Sequence, residues 1–500
     1  MEKPRRRSRI VLTENIFMRI EILKRSAVML YLTVVFSVFT IAQNTTSTLT
    51  GTTSDSDDIL PGAVVKLTEV ESGITYSAIS NQKGQFRITG LTPGGPYRLE
   101  VSYVGHKKSV IDIKRISLGE VYSCNVELTT GNELQEVIVK GQAAALRKTG
   151  SSESISAEDI DNKATVDRTL QDILAMSPYY IGSGSFGGRD GGMNNYSIDG
   201  ANFNANMGLD REKMPGAGTP FALEALEDIQ IVNSAFDVKN SNFMGATINA
   251  VTKKGTNTFR GSAYHFYKDE SLRGNRVDGE ELTSPRGDIK RTIYGLTLGG
   301  PIIKDKLFFF VSAELENTPL QLHQWQASKD GVEDGKNLIS RVTESDMKQF
   351  ASDLQSMYGW NPGSYNDFTG DNKFFRLMTR IDWNISKYHK LTLRYNQTNG
   401  KKDNSYSSPG MGMNDGRVSI YSMVFDGSNW KKVDNVYSLT GELNSRFGNN
   451  ITNTLRASFT FNDANNRECD AAFPCIEIMK PYDGDGKNHA YMSAGYDPYA

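Results

Sequence analysis

Five hundred residues carry 56 basic and 58 acidic side chains, a net charge of −2, so no charge excess points to nucleic acid or to an acidic surface. A mean hydropathy of −0.44 excludes a polytopic helical membrane protein, because only the stretch 27–42 is apolar and long enough to consider. Three cysteines exclude a disulfide scaffold. What remains is a soluble multidomain protein or a β-barrel, whose membrane signal is diluted by its polar inner face.

The chain opens on an export signal. Lys24 and Arg25 precede the apolar run Ala27 to Ile41, and Thr40-Ile41-Ala42 supplies the small residue before a cut at Gln43, which predicts a signal peptide over 1–42. Met18 would start a conventional signal, leaving Met1 to Phe17 as an upstream extension. The run is short for a membrane span of about 20 residues. A twin-arginine reading of Arg5-Arg6-Arg7 is set aside because the cluster lies far from the apolar run. No Cys follows the cut, so no lipid anchor is expected. In an exported chain Cys469 and Cys475 are close enough in sequence to pair, whereas Cys124, among strand-like residues, reads as a buried small hydrophobe.

Residues 45–130 read as short strands cut by turns. Val64-Lys66-Thr68 alternates with Val65-Leu67, Asn81 to Gly84 is a turn, and Pro93-Gly94-Gly95-Pro96 precedes the strand Tyr97-Leu99-Val101-Tyr103, the pattern of a small β-sandwich. Leu60-Pro61-Gly62-Ala63-Val64-Val65, Gly84-Gln85-Phe86, Leu91-Thr92-Pro93-Gly94 and Tyr103-Val104-Gly105 resemble the carboxypeptidase-regulatory-like domain. That name invites an enzymatic reading, but none of the five histidines is followed by Glu at a zinc-ligand spacing. No enzyme, catalytic residue, metal or cofactor is therefore expected.

Residues 131–153 are a polar linker around the strand-like run Leu134-Gln135-Glu136-Val137-Ile138-Val139. Two readings stand: a last strand of the sandwich, favoured by β-propensity, or a mobile strand whose backbone a partner can pair with.

Residues 154–255 are mixed. A helical pattern at Val166-Leu170-Ile173-Leu174 ends at Ser177-Pro178, a second at Phe221-Leu223-Ala225-Leu226 leads into the strand Ile229-Ile231-Val232, and a short strand, Tyr196-Ile198, lies in the Gly- and Asn-rich stretch between them. Gly182-x-Gly184-x-x-Gly187 matches a dinucleotide fingerprint but follows a helix and Ser177-Pro178 instead of a strand, so it reads as a flexible apical loop.

From 256 to 500 the period is two. Leu307-Phe309-Val311-Ala313-Leu315 alternates with Ser312-Glu314-Glu316, and Phe375-Leu377-Thr379-Ile381-Trp383 alternates with Arg376-Arg380-Asp382. The pattern recurs around Leu296, Leu393, Leu439 and Leu455 in strands of about ten residues, the length that crosses a bilayer when tilted. Short turns at 300–305, 385–388 and 448–450 interleave with long polar loops at 269–289, 319–372 and 400–432, the asymmetry of an outer-membrane barrel. Tyr294, Phe309, Trp383, Tyr395, Tyr437 and Phe459 suit interfacial girdles. Asp483-Gly-Asp485-Gly resembles half a calcium loop, but no Glu closes it, so a plain turn is expected.

Ala225 to Val232 followed by Gly245 to Ser262 resembles the junction between plug and barrel in TonB-dependent outer-membrane receptors, and Leu298 to Phe310 resembles the Oar-like branch. Leu170-Gln171-Asp172-Ile173-Leu174 and Tyr196-Ser197-Ile198-Asp199-Gly200 resemble plug motifs of the same family. The resemblance implies a mainly β fold: an N-terminal β-sandwich, an α/β plug, and the first part of a transmembrane antiparallel barrel. Such barrels have about 22 strands, so with seven strands expected here the chain reads as truncated within the barrel. The resemblance further implies a Gram-negative outer-membrane transporter with a periplasmic N-terminal domain, importing a scarce ligand by energy-coupled plug opening. Its partners would be the TonB–ExbB–ExbD complex, outer-membrane lipid and an extracellular ligand, with no nucleic acid. Leu134, Gln135, Glu136, Val137, Ile138 and Val139 would then form the TonB box, and Phe186, Arg189, Asn194 and Asn195 at the plug apex would meet ligand. The chain lacks the usual junction wording of the SusC-type branch, which weighs against a lipoprotein lid. The alternative is a surface adhesion or assembly protein that uses the barrel as an anchor.

Overall fold

The computed structural model describes residues 45–496 apart from 57, 132–136, 139–150, 166, 183, 205–218, 234–244, 282–289, 367–368, 407–416, 449–450, 470–472 and 483–487. Residues 1–42, expected to be a signal peptide, and the turn expected at Asp483 to Gly486 lie outside the described residues.

Strict alternation builds the first domain. Val65, Leu67, Leu99 and Val101 point inward from one sheet against Leu49, Phe86 and Ile88 of the other, and all are buried. Each such side chain contributes about 1.5–3 kcal/mol by leaving water. One sheet runs Thr75–Ile79, Val64–Glu69, Tyr97–Ser102, Ser109–Ile113, Val137–Ile138; in the other, Ser47–Ser54 lies between Gln85–Leu91 and Val121–Ser123 and also pairs with Val126–Glu127. Cys124 is buried in this core, as its neighbours predict.

The second sheet follows the order Ser152–Ser156, Leu226–Val232, Thr247–Thr252, Asn195–Ile198, Ala201–Asn202. Its helices are shorter than the apolar spacing suggests. Reciprocal caps between Thr169 and Asp172 start a helix confined to Leu170–Leu174, and Ser156 with Asp159 does the same for Ala157–Asn162. The helix expected around Phe221 to Leu226 is a single 3-10 turn at Leu223–Ala225, and Leu226 already belongs to the strand. That strand is covered on both faces, so its apolar run carries no period to read.

Seven long antiparallel strands form a curved sheet in chain order: Arg260–Asp269, Lys290–Ile303, Leu307–Asn317, Lys373–Asn384, His389–Asn404, Trp430–Phe447 and Ile451–Cys469. The two end strands do not pair with each other, so this is a partial barrel. Its second strand meets the third through Leu298 and Val311, and the third meets the fourth through Phe309 and Ile381, an uninterrupted apolar outer ridge.

Two of the three long connections, 319–372 and 400–432, are not separate polar loops. Met347, Phe350 and Leu354 line one face of the helix Glu344–Tyr358 and pack with Val342, Met423, Phe425, Tyr491 and Met492 in a core of their own. Thr343 caps this helix by accepting from the Asp346 amide at 3.1 Å, and Gly359, in the left-handed conformation, ends it. Segments from two connections and from the stretch after Cys469 thereby form one lobe, because each alone is too short to bury its apolar face.

In the sandwich, His106 Nε2 lies 3.0 Å from Asp55 Oδ2, and its Nδ1 lies 3.2 Å from the Val104 carbonyl oxygen. The hydrogen bond with Asp55, then that with Val104, raises the imidazole above its ordinary value. The pair therefore stabilises the sandwich below the ordinary His value of about 6.5 and loses that contribution as pH rises through the raised value. Asp55→Asn is expected to return the His106 titration, followed by NMR, to the ordinary range and to flatten this part of the pH dependence.

Candidate functional site at the inner face of the barrel

The barrel sheet is inverted relative to a soluble sheet. Leu296, Leu315, Leu439, Leu455 and Phe459 are exposed on its outer face, Phe459 to 69%, while Glu314, Arg376, Arg380, Asp382, Arg394 and Glu442 are buried on the inner one. The inner domain fills that concave side, with Phe310, Met378 and Val436 from the barrel wall entering its hydrophobic core.

Three arginines make the seam between wall and inner domain. Arg376 donates to Glu314 Oε1 at 2.8 Å, to Glu316 Oε2 at 2.7 Å and to the Thr219 carbonyl oxygen at 2.6 Å. Arg291 closes this group from the neighbouring strand, 2.8 Å from Glu316. Arg380 holds Asp382 with two bonds, of 2.7 and 3.1 Å, and donates to the Thr252 carbonyl oxygen at 2.7 Å; Thr392 also donates to Asp382 at 3.0 Å. Arg394 lies 3.4 Å from both Asp199 and Glu442, and Arg456 supports Glu442 at 2.9 Å. Thr398 adds a bond of 2.5 Å to the Pro220 carbonyl oxygen.

The sign of these contacts matters. Glu314, Glu316, Asp382 and Glu442, the counter-ions of the arginines, all sit on the wall, and the inner domain contributes mainly backbone carbonyls. Separating the two surfaces therefore breaks hydrogen bonds without leaving a buried charge unpaired, which is the expensive outcome. Asp199 is the exception among these contacts. Its carboxylate accepts from the Thr252 amide at 3.1 Å and hydroxyl at 2.8 Å, which fixes a residue at φ 51° between Ile198 and the central strand. At Gly200, φ 82°, an added Cβ would lie 2.6 Å from the Arg456 guanidinium, so this turn must be bare to sit against the wall.

The residues expected to meet ligand separate. Phe186 is buried in the inner core, edge-on to Tyr180 at 5.5 Å. Asn194 is buried, donating to the Gly184 carbonyl oxygen at 2.7 Å and accepting from the Ala246 amide at 2.8 Å. Asn195 is fully buried and accepts from Asn204 at 2.8 Å. Only Arg189 is exposed. The first three thus hold the apical loop in shape. Of the run predicted to bind TonB, Val137–Ile138 pairs in parallel with Ser109 and Val110 at the edge of the sandwich; Leu134, Gln135, Glu136 and Val139 lie outside the described residues. The charged inner face was visible in the sequence, but the carbonyls of Thr219, Pro220 and Thr252 were not, since a backbone acceptor has no residue signature.

Residues 48–129 match the family model described as carboxypeptidase regulatory-like domain, and residues 251–324 match that described as outer membrane beta barrel domain. The TonB-dependent transporter Oar of Myxococcus xanthus is 24% identical over 382 residues, 70% of this chain and 33% of the relative, so the chain spans about a third of that relative's length. Among solved structures, the outer membrane transporter YddB from Escherichia coli aligns with a TM-score of 0.46 and 13% identity over 69% of this chain and 43% of that one. The siderophore receptor PirA from Acinetobacter baumannii gives 0.38 and 14% over 62% and 39%. With its sandwich at the N-terminus, an inner sheet, and strands that turn apolar side chains outward, the chain is a homologue of the TonB-dependent transporter Oar that carries a carboxypeptidase regulatory-like domain and an outer membrane β-barrel domain.

Proposed function

We propose that the complete protein imports a scarce ligand across the outer membrane, with the inner domain acting as a plug that is displaced by energy from the TonB–ExbB–ExbD complex. The observation that carries this reading is the seam. Arg376, Arg380 and Arg394 keep carboxylates of their own on the wall; Arg376 and Arg380 each reach the inner domain through a single bond to a backbone oxygen, and only Arg394 also faces an inner-domain carboxylate, Asp199. Such an interface is suited to parting and closing again. The exposed apolar flank, Leu296 to Phe461, suits outer-membrane lipid. The sandwich touches the short-turn end of the barrel, at Thr452 and Asn257, which supports a periplasmic position for it. Ligand would enter from the end that carries the lobe, where Arg189 of the inner domain is an exposed candidate contact.

Leu134, Gln135, Glu136, Val137, Ile138 and Val139 are proposed as the TonB-binding strand. Pairing through the backbone tolerates varied side chains, and Val137–Ile138 already forms an edge strand with a free flank among the described strands. Deleting Leu134 to Gly141 from the full-length gene is expected to abolish uptake while leaving ligand binding at the cell surface intact; unchanged uptake would refute the assignment.

The seam makes a graded prediction. Arg376→Ala leaves Glu314 and Glu316 buried without their shared cation, a loss of about 3–5 kcal/mol, whereas Thr398→Val removes one bond worth about 1 kcal/mol. Protease protection of the inner domain in increasing urea should fall strongly in the first variant and slightly in the second. Equal effects would place the seam's strength elsewhere.

A further inference from the structure

The sandwich is joined to the inner domain by the segment 131–151, yet its contacts are not those of a tethered neighbour. Asp228, on the inner strand Leu226–Val232, has a fully buried side chain and binds residues from two separate parts of the chain. Ser154 donates to it from the edge strand Ser152–Ser156, Arg115 Nη2 of the sandwich lies 3.0 Å away, and the Leu118 amide of the sandwich donates at 3.2 Å. Arg115 also donates to the Glu227 carboxylate at 3.2 Å and to the Glu227 carbonyl oxygen at 2.7 Å. Gly119 follows so closely that an added Cβ would lie 2.5 Å from Gln230 of the same strand.

The arrangement is reciprocated. Glu69 of the sandwich, with a side chain 1% exposed, is paired with Lys254, at the point where the inner domain passes into the barrel. A buried carboxylate on each side is thus answered by a cation from the other. The same sandwich also holds the wall: Glu71 pairs with Arg260 at 2.7 Å, Thr92 accepts from Lys390 at 3.1 Å, and Thr45 donates to Glu442 at 2.9 Å. Because parting either contact strands a buried carboxylate, the sandwich resists separation far more than the backbone-oxygen bonds of the seam do.

We propose that the sandwich is a brace across the seam between inner domain and barrel, pinning the edge strand Ser152–Ser156 through Asp228 and Arg115. The segment proposed to bind TonB lies between the sandwich and that strand, so both of its ends run into bodies clamped to each other. Tension on it draws Ser152–Ser156 against the Ser154–Asp228 bond, whose acceptor Arg115 and the Leu118 amide hold in place. This deepens the import reading and rests on it for the source of the tension, but the brace itself is a property of the resting protein.

The test is hydrogen exchange read by mass spectrometry on the full-length protein in lipid, without TonB and without ligand. In Arg115→Ala, amides of Ser152–Ser156 and Leu226–Val232 are expected to exchange at least tenfold faster than in the wild type, while Val64–Glu69, Tyr97–Ser102 and the barrel strands keep their protection. Glu227→Gln, which alters the inner-domain side and leaves the sandwich intact, should give the same pattern to a smaller degree, and Arg115→Lys should restore part of it. Unchanged exchange at Ser152–Ser156 in both Arg115→Ala and Glu227→Gln overturns the brace. So does lost protection confined to the sandwich, since Arg115 would then support only its own domain. With no transport in the assay, a negative result leaves import untouched, and a failure of import leaves the exchange result standing.

Discussion

A guanidinium removed from water must find partners, and that requirement organises this molecule. Arg376, Arg380 and Arg394 stand on the inner face of a sheet whose outer face is apolar, in a space the inner domain fills. Each finds a carboxylate on the wall and an oxygen of the inner domain or a carboxylate such as Asp199. The cost of dehydrating these charges is several kcal/mol per ion; Arg376 and Arg380 offset it with short bonds, whereas Arg394 Nε makes no hydrogen bond and relies on ion pairing at 3.4 Å. The inner domain must therefore present oxygens at fixed places, and Thr219, Pro220 and Thr252 do so from a strand end and the approach to a turn.

Two kinds of contact follow from where the counter-ions lie. At the seam, Asp199 apart, they lie with the arginines, so the surfaces can separate with most charges still paired. Between the sandwich and its neighbours they lie across the interface, Arg115 with Asp228 and Lys254 with Glu69, so separation takes the counter-ion from both carboxylates. The first arrangement suits movement and the second resists it.

The lobe beyond the opposite rim obeys the ordinary hydrophobic rule. Trp360 stacks on Phe473 with ring centres 4.2 Å apart, joining residues from two different connections, and Arg417 is buried against Glu477 at 2.8 Å. Long connections that share a core present one shaped surface instead of several independent ones, which limits what can approach the inner domain from that side.

Periodicity alone determined much of this protein. The seven barrel strands, the alternation of short and long connections, and the sandwich strands from Val64 to Tyr103 are legible because one face of each strand meets a different medium from the other. The strand expected at Ile229 to Val232 is present, but its start at Leu226 was read as helix for the converse reason: a strand covered on both faces keeps no period of two. The helix Glu344–Tyr358 had a cap, a spaced apolar face and a terminal glycine, but its core partners Met423 and Met492 lie far along the chain, so only folding revealed that the connection was structured. At the site, the sequence determined which side chains were charged and which face they shared. Tertiary structure decided where they went: Phe186, Asn194 and Asn195 turned inward because the apical loop needed internal partners, and Asp228 became a junction because two segments distant from it in sequence converge on one dehydrated carboxylate. Pairing across such distances depends on the whole arrangement of strands, and no local pattern records it.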